Sequence, residues 1–295
     1  MMHTGQKKVW NKIVSFVLAA VMVLGVFAVV PTEVNAATKS FKSTGTSSVT
    51  ITDADSYDAN GYGKMAAHYI RFKAENNGYI TIKMTDASKK YTPEGYLTFC
   101  NSAKKALGQK REVWSTDSKY GKAPYYTRSF GVKKGKTYYI KIESSAGVKV
   151  TATFKKVTKS KCNSKSSAKT LKAKTTAKGI IIAGEKTVDW YKIKLTGNKK
   201  VMLTYTAKTN GDTDNSGIKI SFCKADGSLY TAGSSTQAPS SDWVSPWTSS
   251  GWSKYCRKYL ISGKETGLAA GTYYVKVERY NKTSSGYYTL KWSTY

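Results

Sequence analysis

The chain has 295 residues and carries 48 Lys and Arg against 18 Asp and Glu, a formal charge of +30 at neutral pH. A lysine-dominated excess of that size gives long-range attraction to polyanions: teichoic acids, acidic polysaccharides, mucins, nucleic acid or anionic lipid. The plainer alternative is lysines decorating strand faces to keep a Tyr-rich β protein soluble and its edges unpaired.

Residues 1–36 read as an export signal. Lys7, Lys8 and Lys12 lead an apolar run from Ile13 to Val30, Pro31 breaks it, and Val34-Asn35-Ala36 supplies small residues for cleavage. The rival reading is an uncleaved anchor, because an apolar run of about 18 residues is marginally long enough to span a bilayer. Cleavage predicts an extracellular or cell-wall-associated bacterial protein with no stable membrane insertion. Ala37 to Ser48 is a Ser/Thr/Gly/Lys stretch without apolar period, an extended lead-in.

Strand signals follow: Tyr69-Ile70-Arg71-Phe72, Tyr79 to Met84, Leu97-Thr98-Phe99, Tyr138 to Ile142 and Val148 to Phe154. Each alternates apolar with polar residues between Gly, Asn or Ser clusters. Thr158 to Thr170 reads as a lysine- and serine-rich linker. The scheme then repeats in the same order. Tyr96-Leu97-Thr98-Phe99-Cys100 returns as Lys219-Ile220-Ser221-Phe222-Cys223, and Thr137 to Ile142 returns as Thr272 to Val277. Tyr69 to Ile82 matches Trp190 to Leu203. A tandem duplication of one domain accounts for this. The expected fold is all-β: two tandem antiparallel β-sandwiches, jelly-roll-like, over 37–157 and 171–295, joined by the linker 158–170. The offset between copies is 121 at the first strand pair, 123 at the cysteines and 135 at the Thr-Tyr-Tyr strand, so the second copy gained 12 residues between its cysteine strand and its Thr-Tyr-Tyr strand. The added segment is placed around Ser234 to Tyr255.

The second copy resembles the bacterial pre-peptidase C-terminal domain. The residues that carry this are Val188-Asp189-Trp190-Tyr191-Lys192-Ile193-Lys194-Leu195, Lys224-Ala225-Asp226-Gly227-Ser228, Leu268 to Val277 with its Ala-Gly-Thr-Tyr-Tyr core, and Gly286-Tyr287-Tyr288-Thr289-Leu290. The first copy matches more loosely, with His68-Tyr69 where the family has Asp-Trp and Lys136 where a glycine would stand. The resemblance implies a jelly-roll-like accessory module of secreted hydrolases. Related modules bind collagen, and some carry calcium. No hydrolase accompanies the modules here, which points to free-standing binding.

Catalysis is not expected. Of the two histidines only His68 lies beyond the signal, which leaves Ser–His or Cys–His chemistry a single candidate. His-Glu-x-x-His, Gly-x-Ser-x-Gly and zinc-spaced cysteine pairs do not occur, although paired carboxylates of the glycosidase kind are left open. No cofactor is expected. Asp53, Asp55 and Asp58, and Asp212 with Asp214, are weak calcium candidates, but Asp/Asn/Gly turns are far commoner than calcium sites. Cys223–Cys256 is the more natural disulfide and Cys100–Cys162 the second, against the alternative that Cys100 and Cys223 are small buried hydrophobes with free thiols.

The sharpest binding hint is aromatic. Trp243, Trp247, Trp252 and Tyr255 sit among Ser, Pro and Gly, where no strand period demands burial, and the first copy holds Trp114, Tyr120, Tyr125 and Tyr126 in the matching place. Such rings either stack on a partner or form a mini-core that pins a long loop. Trp190 and Trp292, in strand-like runs, read as scaffold. The expected partner is an extracellular glycan, an anionic wall polymer or a matrix protein. Export argues against nucleic acid.

Overall fold

The computed structural model describes residues 39–56, 65–88, 95–113, 126–158, 161–197, 199, 201–210, 217–230, 235–238, 258–261 and 268–294. They belong to one compact unit, Lys39–Tyr295. The first copy contains β1 (Gly45–Ile51), the short helix α1 (Asp53–Ser56), β2 (Ala66–Lys73), β3 (Gly78–Asp86), β4 (Gly95–Cys100), β5 (Arg111–Val113), β6 (Tyr126–Val132), β7 (Thr137–Ser144) and β8 (Val148–Lys156). The second contains β9 (Lys169–Thr170), β10 (Thr176–Ile181), β11 (Val188–Leu195), β12 (Val201–Thr209), β13 (Ile218–Cys223), β14 (Ser235–Ala238), β15 (Lys258–Ile261), β16 (Gly271–Arg279) and β17 (Gly286–Thr294).

Alternation along the strands decides what each sheet buries. Strand β7, TYYIKIES, alternates partly exposed and buried residues without a break. It sends Tyr138, Ile140 and Ile142 into a core with Phe72, Phe99, Phe130 and Phe154. There Phe99 stacks on Phe130 with centroids 4.1 Å apart, and on Tyr138 at 5.2 Å. Strand β17 does the same for Tyr288, Leu290 and Trp292 in the second core. Burying one such side chain contributes about 1.5–3 kcal/mol, so each sandwich is held by its own interior.

The duplication is complete at the level of topology. Sheet β1-β8-β3-β6 has the same order as β10-β17-β12-β15, and β2-β7-β4-β5 the same order as β11-β16-β13-β14. Even the segments before the first long strands correspond. Ser40 makes a parallel bridge to Arg71, with Phe41 N donating to Arg71 O, and β9 runs parallel to β11, with Leu171 N donating to Lys192 O. The stretch read as a linker is therefore structural beyond residue 160: Cys162 and Leu171 are buried in the second core.

Register corrects two details of the sequence alignment. The closing strands open at Val148 and Gly286, which pair with Asp86 and Thr209. Those partners are 123 residues apart, like Cys100 and Cys223, so the sequence match of β3 with β12 at 121 is two residues out of step. A slip of two keeps every side chain on its face, which is why the pattern did not expose it. Val132 opposite Gly78 then matches Ile261 opposite Val201, 129 apart. Six of the 12 extra residues thus precede the sixth strand of the repeat, and the other six follow it rather than joining the first group.

The two sandwiches are joined by contact as well as by chain. Gly131 on β6 bridges Ile182 just beyond β10, and Ala183 N donates to Gly131 O at 2.9 Å. Tyr79 stacks on Tyr287 at 4.6 Å, with Val157 and Ile180 buried beside them. Ala183 enters the core of the first sandwich, and Lys133 reaches Glu185 at 2.9 Å.

A duplicated aromatic and lysine face

The outer face of β2-β7-β4 is built by the residues that alternation turns away from the core. Cross-strand pairing arranges them in rows: Ala67–Glu143–Tyr96, Tyr69–Lys141–Thr98 and Arg71–Tyr139–Cys100. The second copy has Val188–Glu278–Lys219, Trp190–Lys276–Ser221 and Lys192–Tyr274–Cys223 in the same places. In each copy a pair of rings meets edge to face, Tyr69 with Tyr139 at 6.3 Å and Trp190 with Tyr274 at 6.1 Å. Beside each pair lies a lysine–glutamate contact, Lys141–Glu143 at 2.8 Å and Lys276–Glu278 at 2.9 Å.

Further ammonium groups cap these rings. Lys104 Nζ lies 4.4 Å from the centre of the Tyr69 ring, and Lys110 Nζ lies 3.9 Å from that of Tyr96 while also contacting Glu143 at 3.2 Å. In the second copy Lys276 lies 5.8 Å from the Trp190 ring and Lys165 5.8 Å from Tyr274. Each such contact is worth about 0.5–1 kcal/mol at an exposed site. Burial pushes the Glu143 carboxyl up, but hydrogen bonds from Lys141 and Lys110 outweigh it and hold the group below the usual carboxylate range. Lys141 is raised, first by its hydrogen bond to Glu143. The Glu143 carboxylate thus stays ionised at neutral pH and holds Lys141 and Lys110, while Arg71 in the first copy and Lys165, Lys192 and Lys219 in the second add further cations to the faces. Chemically each face offers oriented N–H donors beside flat apolar rings.

Of the aromatic loop residues, Trp243, Trp247, Trp252, Tyr255, Trp114, Tyr120 and Tyr125 lie outside the described residues, and Tyr126 is placed only by its backbone, at the start of β6. Asp58, Asp212, Asp214 and Cys256 also lie outside. Asp53 and Asp55 are engaged as turn acceptors. Asp53 accepts from Gly147 N at 2.7 Å and Ser88 Oγ at 3.1 Å, and Asp55 from Thr52 N and Oγ1, both at 2.8 Å. Among the described residues no group of three or more His, Cys, Asp or Glu is placed to hold a metal.

The Cys100–Cys162 pairing is corrected. Both are thiols, as is Cys223. Cys100 closes β4 of the first sandwich, whereas Cys162 packs in the core of the second. Cys100 and Cys223 are twins: each is about 1% exposed, and each thiol donates to the carbonyl two residues earlier, Thr98 O and Ser221 O. Burial pushes both thiols up, Cys223 to about 11.

One polar cluster is unique to the second copy. Asp189, fully buried, accepts from Tyr288 Oη at 2.5 Å, and Tyr191 Oη lies 2.8 Å from Tyr288 Oη. Burial raises both tyrosines well above their ordinary value. The first copy has His68, Ile70 and Val150 in their place, two of them core aliphatics. Almost wholly buried, this cluster orients the core. A hollow of about 170 Å³ between Lys169, Lys178, Cys162 and Tyr191 is smaller than ordinary ligand pockets of about 300–1,000 Å³, which leaves the open faces as the better candidates.

The sequence pattern passed over these faces. Trp190 reads as scaffold from its strand, yet it is partly exposed on the outer face, while Trp292 is buried with Nε1 donating to Leu171 O at 2.6 Å. The signal was available in the repeat: alternate residues of the matched strands keep Tyr or Trp, Lys and Glu outward in both copies.

No family model and no curated protein matches the chain. Solved structures with some likeness include tripeptidyl peptidase 2, at 10% identity and a TM-score of 0.27 over 88% of this chain and 24% of that one. Others are the CUB1-EGF-CUB2 domains of rat MASP-1, at 6% identity and 0.25 over 86% and 99%, and of human MASP-1/3, at 6% and 0.26 over 85% and 99%. This chain spans about a quarter of the tripeptidyl peptidase 2 chain.

Proposed function

We propose that this is an exported, non-catalytic binding protein that recognises an extracellular polysaccharide or wall polymer, with lysines drawing it to polyanions. The observation that carries the reading is the repeat of one constellation on both sandwiches: an edge-to-face ring pair, a lysine–glutamate contact and capping ammonium groups. Core packing explains why alternate residues point inward. It does not ask that the outward ones be the same chemical set in two copies. The tryptophan-rich segment around Trp243 to Trp252 would add stacking surface, and membership of the pre-peptidase C-terminal family belongs to the same proposal.

The test is sedimentation of the protein with purified wall, acidic polysaccharide and neutral polysaccharide at low and half-molar salt. Exposed charge contacts are strongly screened at that ionic strength, whereas ring contacts survive. Retention that drops with salt and drops again when Tyr69, Tyr139, Trp190 and Tyr274 are changed to Ala supports the reading. A structural wall protein held by charge alone would lose binding with salt and ignore the ring substitutions. No binding to any polymer would sink both.

A further inference from the structure

The turns that follow Cys100 and Cys223 are the same turn built twice. Lys104 N donates to Asn101 O and Gly227 N to Lys224 O, both at 3.0 Å, and each turn closes with a bridge from the cysteine, to Ala106 and to Leu229. Lys104 and Gly227 occupy the same left-handed position, with φ of 57° and 94°. Glycine takes that conformation without a Cβ clash, whereas a lysine is strained there. The turn itself gives no reason for Lys104, since its twin forms with glycine.

The side chain supplies the reason. Lys104 sets its ammonium 4.4 Å from the Tyr69 ring, above the edge-to-face pair. In the second copy, where glycine leaves that place empty, a lysine arrives from elsewhere in the chain. Lys165 Nζ donates to Ala225 O at 3.1 Å and Asp226 O at 2.8 Å, beside the ring of Tyr274. A Cβ on Gly227 would come within 3.2 Å of Lys165 Cδ. The two lysines therefore reach the corresponding ring pair by different routes, Lys104 over its β2 ring and Lys165 beside its β16 ring, and each copy holds one. The Lys165 ammonium, already fixed by two carbonyls, loses little rotamer freedom when it meets an anion, and its third N–H can make a charge-assisted bond to an oxyanion.

We infer that Lys104 and Lys165 are the equivalent specificity-determining cations of a duplicated site for an oxyanion carried on a polyhydroxylated chain, the carboxylate of an acidic polysaccharide or the phosphate of a polyol phosphate. This rests on the proposed polymer-binding reading and names which of the many lysines carry it.

The experiment is titration of the protein with polygalacturonate, poly(glycerol phosphate) and neutral dextran at physiological salt. The variants are Lys104→Gly, Lys165→Met, the double variant, Lys165→Arg, and a charge-matched control, Lys149→Met with Lys155→Met, two exposed lysines on β8. Thermal unfolding checks that each variant folds. Each single substitution is expected to weaken binding about tenfold or more and the double about a hundredfold or more, as for loss of one and two charge-assisted bonds. The control should change it less than about twofold, and Lys165→Arg should retain most of it. The stronger of the two polyanions identifies carboxylate or phosphate. Equal losses in the double variant and the control would overturn the site while leaving charge-driven polymer binding intact. Failure of the unaltered protein to bind either polyanion would remove the proposed function as well. A clear preference for an oligonucleotide over both polymers would overturn the ligand class.

Discussion

Gly131→Ala is the sharpest test of whether the two sandwiches behave as one body. A Cβ built on Gly131 would stand 2.1 Å from Ile181 O and 2.8 Å from Ile181 C, backbone atoms of the other sandwich that no rotamer change can move aside. Overpacking of this kind costs about 1–3 kcal/mol. Moving β6 away to relieve it breaks the hydrogen bond from Ala183 N to Gly131 O, worth about 1 kcal/mol. It also loosens the cluster of Tyr79, Val157 and Ile180. The total is about 2–4 kcal/mol, and it falls where Ile181 of the second core and Ala183, which enters the first, meet β6 at the interface. Urea unfolding followed by circular dichroism and by tyrosine and tryptophan fluorescence should show one coincident transition for the unaltered protein. The variant should separate into two, with the lower midpoint shifted. Gly135→Ala is the control: its φ of 80° strains an alanine, yet nothing lies within 4 Å, so it should cost about 1–2 kcal/mol without separating the probes. A single transition at unchanged midpoint in Gly131→Ala would refute the claimed closeness of β6 to β10.

Lys104→Gly should leave stability within about 1 kcal/mol of the unaltered protein, since relief of about 1–2 kcal/mol of left-handed strain is offset by the lost ring contact and glycine's backbone entropy. Calorimetry decides it, and a large destabilisation would mean that the lysine serves the fold. Tyr288→Phe should destabilise the second sandwich by about 1–2 kcal/mol, through loss of its buried hydrogen bonds to Asp189 and Tyr191; Thr289→Ala beside it, in an exposed hydroxyl pair, should cost less. For the lysine–glutamate contact, the Glu143 carboxyl is depressed in the fold, so its stabilisation is present above the unfolded value near 4.5 and is lost as pH falls through the folded one. Lys141 is raised, so its share is present below about 10.5 and is lost as pH rises through its folded value. With Lys141 about a quarter exposed, screening limits the pair to about 1 kcal/mol or less, and Glu143→Gln should flatten the acid limb of a stability–pH profile. Native alkylation at pH 8 followed by peptide mass mapping should leave Cys100, Cys162 and Cys223 unmodified until urea is added, and a mapped Cys100–Cys162 bridge would contradict the separate cores.

Much of the fold was legible because β structure writes itself locally. The inward and outward residues of β7, β8, β16 and β17 follow from a period of two, and the repeated Thr-Tyr-Tyr strand marks the duplication without any knowledge of contacts. The same period hides a two-residue slip, as between β3 and β12, because it leaves every side chain on its expected face. The stretch 158–170 looked like a linker because it lacks apolar alternation. Only the neighbouring strand β11 turns its end into β9 and gives Cys162 a core to enter.

The candidate site divides the same way. Sequence alone determined that the chain is strongly basic and rich in tyrosine, and that it is built twice from alternating strands. Tertiary structure decided which of those tyrosines and lysines meet. Lys104 and Lys165 reach corresponding ring pairs from positions that no alignment of the copies equates, one from a strained turn and one from the segment before β9. Such convergence depends on through-space packing between residues far apart in the chain, and no local periodicity encodes it.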